Sequence, residues 1–416
     1  MASAPYLSAQ QAAALLGVTL PTLYAYVSRG LLRSEPVPGR PRERRYRQED
    51  VTQVGERKEV RGDPAKLLAR GLHWGGPLLD SAIALIDGGR LYYRGREAVA
   101  LAREARVEEV AALLWTGDPA QADALFATKT APLPRPLRAL IRRAERAGLG
   151  ATRAIDALDP LSRCQIALPL AGATDLRAFD LRPAAVAATG ARILDLLVAT
   201  VAGRPATRPL ESALQAAWAA ERPAAARALR AALILCADHE LNASTFTVRC
   251  VASAAATPYD AVAAGLAALK GARHGGATAQ AGAFLREVGT PGAARAALSA
   301  RLRRGEGVPG FGHALYPQGD PRGRALLELA REMAPRSRAV ALAAAVCEET
   351  ASLLGEAPNL DFGLAVLAAA LDLPEASATA LFALGRTMGW IGHALEQYAD
   401  PRLIRPRARY VGEAPA

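Results

Sequence analysis

The chain is poor in several residue types, and each shortage narrows what it can be. Its 416 residues include four cysteines, Cys164, Cys236, Cys250 and Cys347. No pair has metal-ligand or redox spacing, so a disulfide framework, a zinc ribbon and a dithiol centre are set aside. Reduced, mostly buried thiols are expected. Aromatic residues make up 5% of the chain and β-branched residues are sparse, while alanine and leucine dominate. That composition argues for a mainly helical protein. No uncharged apolar run approaches the roughly 18 residues of a membrane helix. The start, MASAPYLSAQQ, lacks the basic flank and apolar core of a signal peptide. A cytoplasmic location without a membrane partner is therefore expected.

Lysine is scarce too. Lys58, Lys66, Lys129 and Lys270 are four of 51 basic residues, so the other 47 are arginines; against 40 acidic residues the net charge is +11. So general a bias speaks to solubility and non-specific attraction rather than to fold or chemistry. One stretch stands out. From Arg29 to Arg47 there are seven arginines (29, 33, 40, 42, 44, 45 and 47) against Glu35 and Glu43. A local excess of this kind is a better nucleic-acid signal than the global charge.

The residues around that stretch read as a small module. Ser8 caps a short helix that stops at Gly17, Thr19 is a second N-cap, and a helix runs from Leu20 to Arg29. LLRSEPVPGRPRERRYR follows as a loop or wing, and QEDVTQVGERKE as a third short helix. The pattern YLSAQQAAALLGVTLPTLYAYVSRGLL resembles the winged helix-turn-helix DNA-binding domains of the MerR and excisionase type. The resemblance implies a second helix in the major groove and a wing on the backbone. Thr22, Tyr24, Tyr26 and Arg29 would then face DNA, with Arg40 to Arg47, including Arg44 and Arg45, near phosphates. A module that binds nothing, or that serves assembly or control, is the other reading. Residues 1–62 are assigned to it, with RGDPAKLLAR (61–70) as the linker.

Beyond the linker, a β-hairpin is expected where SAIALID and RLYYR flank Gly88-Gly89. Helical periods follow, clearest in VEEVAALLW (107–115), AARALRAALILCADH (225–239) and RAVALAAAVCEETASLL (338–354). Polar clusters interrupt this apolar body. They are DHELNAS (238–244), KGARHGGATAQ (270–280), VPGFGH (308–313) with Asp320-Pro-Arg322, and Asn359-Leu-Asp361. Arg386 and Arg405 come later. Taken singly, each has a plain reading: a helix-end histidine is usually structural, and Asp361 could be an N-cap. Metal ligation is set aside, because no pair has the i, i+4 spacing of a helical site. Taken together, histidines with one carboxylate suit proton abstraction beside a carbonyl. Several arginines suit the carboxylates of a small dianion. Gly275 and Gly276 would let substrate approach, and the positive helix end would help His274 support an enolate.

From about residue 71 onward the chain resembles the citrate synthase family. The carrying stretches are SAIALIDGGRLYYRG, EEVAALLWTG, DHELNASTF, LKGARHGGA, VPGFGHALYPQGDPR, NLDF and GRTMGWIGHALEQYADPRLIRPRARYVG. The resemblance implies a two-domain helical fold over 68–416. A large domain would comprise 68–272 and 376–416, and a small one 273–375, with the active site between them. It implies Asp361 as the base on acetyl-CoA, His274 as enol stabiliser, and His313 as the acid on oxaloacetate. His239, Arg322 and Arg386 match oxaloacetate ligands. Arg405 matches an arginine that reaches in from a partner subunit, so at least a homodimer is implied. Val308, Gly310, Gly312 and Asn359 match the CoA site. No metal or bound redox cofactor is implied, since CoA enters as the substrate's acyl carrier.

The chain departs from the family's common pattern beside these positions. HGGAN is frequent where HGGAT stands, with Thr278; an apolar residue usually precedes the histidine, where Arg273 stands. NVDFYSG is common where NLDFGLA stands. The reaction expected is condensation of acetyl-CoA with oxaloacetate and water to citrate and CoA. The alternatives are a 2-methylcitrate synthase using propionyl-CoA, or a DNA-binding metabolite sensor built on a synthase body. His73 and His393 are expected to be structural.

Overall fold

The computed structural model describes residues 6–29, 31–37, 40–47, 50–51, 79–127, 158–408 and 410–413. The chain divides into two compact units, Met1–Asp80 and Ser81–Ala416. The linker expected at 61–70 and His73 lie outside the described residues.

In the first unit, β1 (Tyr6–Ser8) leads into α1 (Ala9–Leu16). Ser8 Oγ accepts from Gln11 N at 3.3 Å, and Gln11 Oε1 accepts from Ser8 N at 2.9 Å. This reciprocal capping box fixes the helix start. Gly17 ends the helix in the left-handed region. Thr19 occupies the N-cap position of α2 (Leu20–Ser28), but its hydroxyl meets Thr22 Oγ1 at 2.9 Å rather than a backbone amide. The expected wing is a pair of antiparallel strands, β2 (Glu35–Val37) and β3 (Arg40–Arg47). β1 pairs with the other edge of β3. Ala12, Leu16, Leu23, Leu32, Tyr46 and Val51 form a small core beneath this sheet. Of the expected third helix only Asp50 and Val51 are described, and both are helical.

The second unit opens with the expected hairpin, β4 (Ala84–Asp87) and β5 (Arg90–Tyr93), followed by β6 (Arg96–Glu97). Gly88 and Gly89 both have positive φ, 55° and 75°, which a two-residue turn of this kind requires. Helices make up the rest. α3 (Ala98–Glu104), α4 (Val107–Thr116) and α5 (Ala122–Leu125) precede α6 (Pro160–Gly172). Then come α7 (Pro183–Ala202), α8 (Leu210–Trp218), α9 (Ala225–Leu235), α10 (Ala243–Ser253) and α11 (Pro258–Leu269). α12 (Gly276–Val288), α13 (Ala294–Arg303), α14 (Pro321–Met333), α15 (Arg338–Leu354), α16 (Leu360–Ala370) and α17 (Ser377–Ala399) complete the order.

α7 is long and apolar enough to cross a membrane by length and composition, but most of it is buried within this unit. Its Arg192 pairs with Asp175 at 2.7 Å and its Asp195 with Arg208 at 2.7 Å, as in a core helix.

α17 is the axis of the unit. It packs against α4, α7, α9, α10, α11, α12 and α16 and is buried through most of its length. A helix that is apolar nearly all round is stable only inside such a shell. Gly389 lets it approach the turn after α9: a Cβ there would lie 2.3 Å from Asp238 Oδ2. α14 and α16 cross at two glycines. A Cβ on Gly323 would lie 2.3 Å from the Asn359 carbonyl, and one on Gly363 3.0 Å from the Gly323 carbonyl. α9 stops at Leu235, short of the expected run to His239. The Tyr93 hydroxyl lies 3.0 Å from the Ile234 carbonyl and 3.3 Å from that of Asp238, so the helix end is satisfied from outside.

Candidate active site

The polar clusters that lie up to about 150 residues apart in sequence meet around the starts of α12, α14 and α16 and the middle of α17. Four donors converge on the carboxylate of Asp320. Arg322 Nε donates to Oδ1 at 3.0 Å and Arg322 Nη2 to Oδ2 at 2.8 Å. The Arg322 amide donates to Oδ1 at 3.0 Å and the Leu360 amide to Oδ2 at 3.1 Å. Burial works to raise the Asp320 pKa, but Arg322 outweighs it and holds the carboxyl below its ordinary value. Asp320 thus joins Arg322 to the first residue of α16.

Asn359 caps that helix, accepting from Asp361 N at 3.0 Å and Phe362 N at 3.4 Å. Its amide group reaches the other way, Nδ2 donating to the Gly312 carbonyl at 3.1 Å. Val308, Gly310 and Gly312 are thereby held against the start of α16, with Asn359 N on the Gly310 carbonyl at 2.9 Å. Asp361, in the first turn of α16, accepts a hydrogen bond at Oδ1 from the hydroxyl of Thr278 on α12. Removal from water pushes the Asp361 pKa up to about 6, against the opposing pull of Thr278 and Arg322.

The three site histidines, His239, His274 and His313, are all held below the ordinary imidazole value. Burial, with Arg386 nearby, lowers His274 to about 4. Burial, then Arg322 and Arg386, holds His239 well below its usual value. Burial and Arg322 also lower His313. The His313 tautomer is fixed: Leu315 N donates to Nδ1 at 3.1 Å, so Nε2 carries the hydrogen. Its ring meets that of His239 edge-on at 5.0 Å, and Tyr316 OH lies 3.1 Å from His239 Nε2.

His274 Nε2 lies 2.8 Å from Ser244 Oγ, which accepts from Trp390 Nε1 at 3.2 Å. Ser244 Oγ is also 2.8 Å from Asn242 Oδ1. Ser244 has one proton and two acceptors for it. Given to Asn242, it requires hydrogen on Nε2 of His274; given to Nε2, it leaves the hydrogen on Nδ1.

Arg386 is 1% exposed. Its Nε donates to the Cys236 carbonyl at 2.9 Å, and its guanidinium lies over Phe382 at 4.9 Å. Its terminal amines have no acceptor among the described residues. A buried guanidinium in this state is costly, and burial lowers its pKa.

Two expectations about the His274 stretch change. Gly275 is required from behind: a Cβ there would lie 2.7 Å from the Leu269 carbonyl and 2.8 Å from Leu269 Cγ. The first amides of α12 are also occupied. Gly276 N, Ala277 N and Thr278 N bond back to Gly271, His274 and Gly275 carbonyls at 3.2, 2.8 and 3.2 Å. The first three amides of α12 are therefore already engaged within the turn, contrary to the expected role of the helix end.

Arg405 is exposed in the tail after α17 and pairs with no described residue. His393 is fully buried, 3.2 Å from Asp238 Oδ2 but off the line of a hydrogen bond. Tyr316, Ser244 and Trp390 were missed as site residues. The first two lie inside motifs already singled out, and Trp390 lies one turn beyond Arg386.

In the first unit, Tyr24 is 51% exposed and Arg29 is exposed, whereas Tyr26 packs partly against the small core. Arg44 Nε donates to Ser34 Oγ at 3.1 Å. Arg45 pairs with Glu35 at 3.3 Å and stacks on Tyr6 at 3.9 Å, so part of its charge is used internally.

A helical body with three histidines, the carboxylates of Asp320 and Asp361 and buried arginines suits a class of enzyme that moves protons beside a carbonyl group. Residues 71–407 match the family profile described as citrate synthase, C-terminal domain, and residues 6–56 match a helix-turn-helix domain. The chain belongs to the citrate synthase family, whose members are acyltransferases. It is 31% identical to a citrate synthase of Mycolicibacterium smegmatis, over 78% of this chain and 89% of that one. It is 32% identical to a 2-methylcitrate synthase of Mycobacterium tuberculosis, over 77% and 84%. Citrate synthase 2 of Bacillus subtilis matches at 38% over 46% of this chain, which spans about half (52%) of that relative. Among solved structures, a ternary complex of Thermoplasma acidophilum citrate synthase with carboxymethyl coenzyme A and oxaloacetate matches with a TM-score of 0.70 and 26% identity, over 84% and 97%.

Proposed function

We propose that this chain condenses acetyl-CoA with oxaloacetate and water to give citrate and CoA. The observation that carries the reading is the buried Arg386 guanidinium, whose terminal amines lack an acceptor until a substrate carboxylate arrives. Arg322, already held by Asp320, and neutral His239 complete a site for a small dianion. Asp361 takes a methyl proton from the thioester. A methyl beside a thioester is a very weak acid, so His274 must hydrogen-bond the carbonyl oxygen at the same moment. That requires the Ser244 proton on Nε2 of His274 and the ring hydrogen on Nδ1. The enol carbon attacks the keto carbon while His313 Nε2–H protonates the keto oxygen. Water then hydrolyses the citryl thioester. Val308, Gly310, Gly312 and Asn359 border the entry for CoA, and closure of 273–375 over the rest would exclude water. Arg405 would complete the site of a second copy, making a homodimer the working unit.

Propionyl-CoA, giving 2-methylcitrate, is the close variant. The test is thiol release with both acyl-CoAs, with and without oxaloacetate. Oxaloacetate-dependent release is expected, lost in Asp361→Ala and His313→Ala. No release with either acyl-CoA defeats the proposal.

A second reading adds DNA binding through the first unit. The helix-turn-helix match and the exposed Tyr24 and Arg29 on α2 favour it. Deleting residues 1–62 should leave turnover intact and abolish a salt-sensitive mobility shift. A shift that survives the deletion counts against this reading.

A further inference from the structure

We infer that Thr278 is a positioning residue for Asp361, holding Oδ1 so that Oδ2 alone is presented as the proton acceptor. The inference rests on the proposed condensation and adds a residue to it. Two buried helical threonines, Thr245 and Thr350, give their hydroxyls no partner, but five others share a pattern. Thr116, Thr189, Thr200, Thr247 and Thr387 each donate to the carbonyl four residues back, at 2.7–2.9 Å. Thr278 does not. The carbonyl four residues behind it, on His274, already accepts from Ala277 N at 2.8 Å. Its hydroxyl instead crosses from α12 to α16 and donates to Asp361 Oδ1.

Thr278 is 1% exposed, so water does not compete for that proton. No other described side chain donates to Asp361, and Oδ2 accepts from none. Burial and β-branching leave Thr278 few rotamers, so the contact is stiff. The bond survives proton transfer, because Oδ1 remains an acceptor when Oδ2 is protonated. Arg322 on α14, Asp320 before it and Arg386 on α17 are the charged groups that act on the same carboxyl. None of them contacts it through a hydrogen bond.

The experiment compares Thr278→Val and Thr278→Ser with the native chain. Valine keeps shape and removes the donor; serine keeps the donor. Thr278→Val is expected to lower kcat ten- to a hundred-fold, about 1.4–2.7 kcal/mol at 1.36 kcal/mol per tenfold. KM for oxaloacetate should stay within about twofold, since the residue touches the base and not the dianion site. The acid limb of the kcat profile should move to higher pH, because a hydrogen bond to the charged form is lost. A deficit should persist well above that limb, where the base is fully ionised, and this part reports orientation. Thr278→Ser should restore both limb and rate to within about threefold.

A Thr278→Val protein with native kcat and an unmoved limb overturns the inference while the native chain is active. If the native chain shows no oxaloacetate-dependent thiol release, the proposed function fails instead. Carboxyl NMR titration of Asp361 then reads the contact without turnover. Its midpoint should rise in Thr278→Val and stay in Thr278→Ser; an unchanged midpoint in Thr278→Val removes this inference too.

Discussion

Replacing Asp320 with asparagine should be among the most damaging single changes to this unit, although it alters only one group of atoms. Each oxygen of Asp320 accepts two hydrogen bonds, three from Arg322 and one from Leu360 N. Whichever oxygen becomes an amide, two donors lose their acceptor and face another donor. Arg322, with a side chain 3% exposed, keeps its charge and loses its partner. Removing one member of a buried pair costs about 3–5 kcal/mol. Little is recovered or lost at the helix start, because asparagine caps as well as aspartate. At about 2.1 cal/mol/K of unfolding entropy per residue, a unit running from Ser81 to Ala416 moves its Tm by roughly 1.5 °C per kcal/mol, so a fall of roughly 4–7 °C is expected. Circular dichroism at 222 nm during heating measures it. KM for the keto acid should rise as well, since Arg322 is no longer aimed. The pH dependence follows from direction. Arg322 depresses the folded pKa of Asp320, so its stabilisation is present above the unfolded aspartate value, about 3.9, and is lost as pH falls through the folded one. Native and variant Tm values should therefore converge in strong acid. A fall of under 2 °C at pH 7 with unchanged KM would refute the reasoning.

Two further outcomes are expected. The base must be ionised to act, and Asp361 is pushed up to about 6, so kcat should rise with pH through about 6 and then level; a limb at 4 instead would mean an unperturbed carboxylate. His274, lowered to about 4, should add no limb between 5 and 9. Gly389→Ala would set a Cβ 2.3 Å from Asp238 Oδ2, so α17 or the turn before His239 must move. Loss of oxaloacetate affinity and a lower Tm are expected by steady-state kinetics and thermal melting, and a native KM would show that the turn yields freely.

Much of this could be read along the chain. The apolar period of residues 338–354 gives α15 to the residue, and Ser8 and Gly17 bound α1 as their types require. The glycine pair marks the hairpin. The histidines were visible because the chain has five, and Asp361 and the arginines because they stand in motifs that interrupt apolar helices. What orients them was not. Ser244 meets Trp390 across 146 positions, and Thr278 meets Asp361 across 83. Serine and threonine are too common for type alone to mark them. Asp320 was named only as part of a polar cluster, and the approach of Leu360 N discloses its task. Gly275 misled for the same reason: its neighbour is Leu269, in the preceding helix, not a ligand.

The crossing of α14 and α16 has a bearing on how this enzyme family member could be remade. Arg322 and Asp361 each sit within two residues of a glycine at which the backbones touch, Gly323 and Gly363. The proposed dianion holder and the proposed base are in effect mounted on one bracket. A library that varies this crossing would lose both grips at once and return mostly inactive protein. Variation at Arg273, exposed on the turn before His274, leaves the bracket alone. New acyl preferences, whether sought by selection in the laboratory or met by drift in nature, have room to arise there.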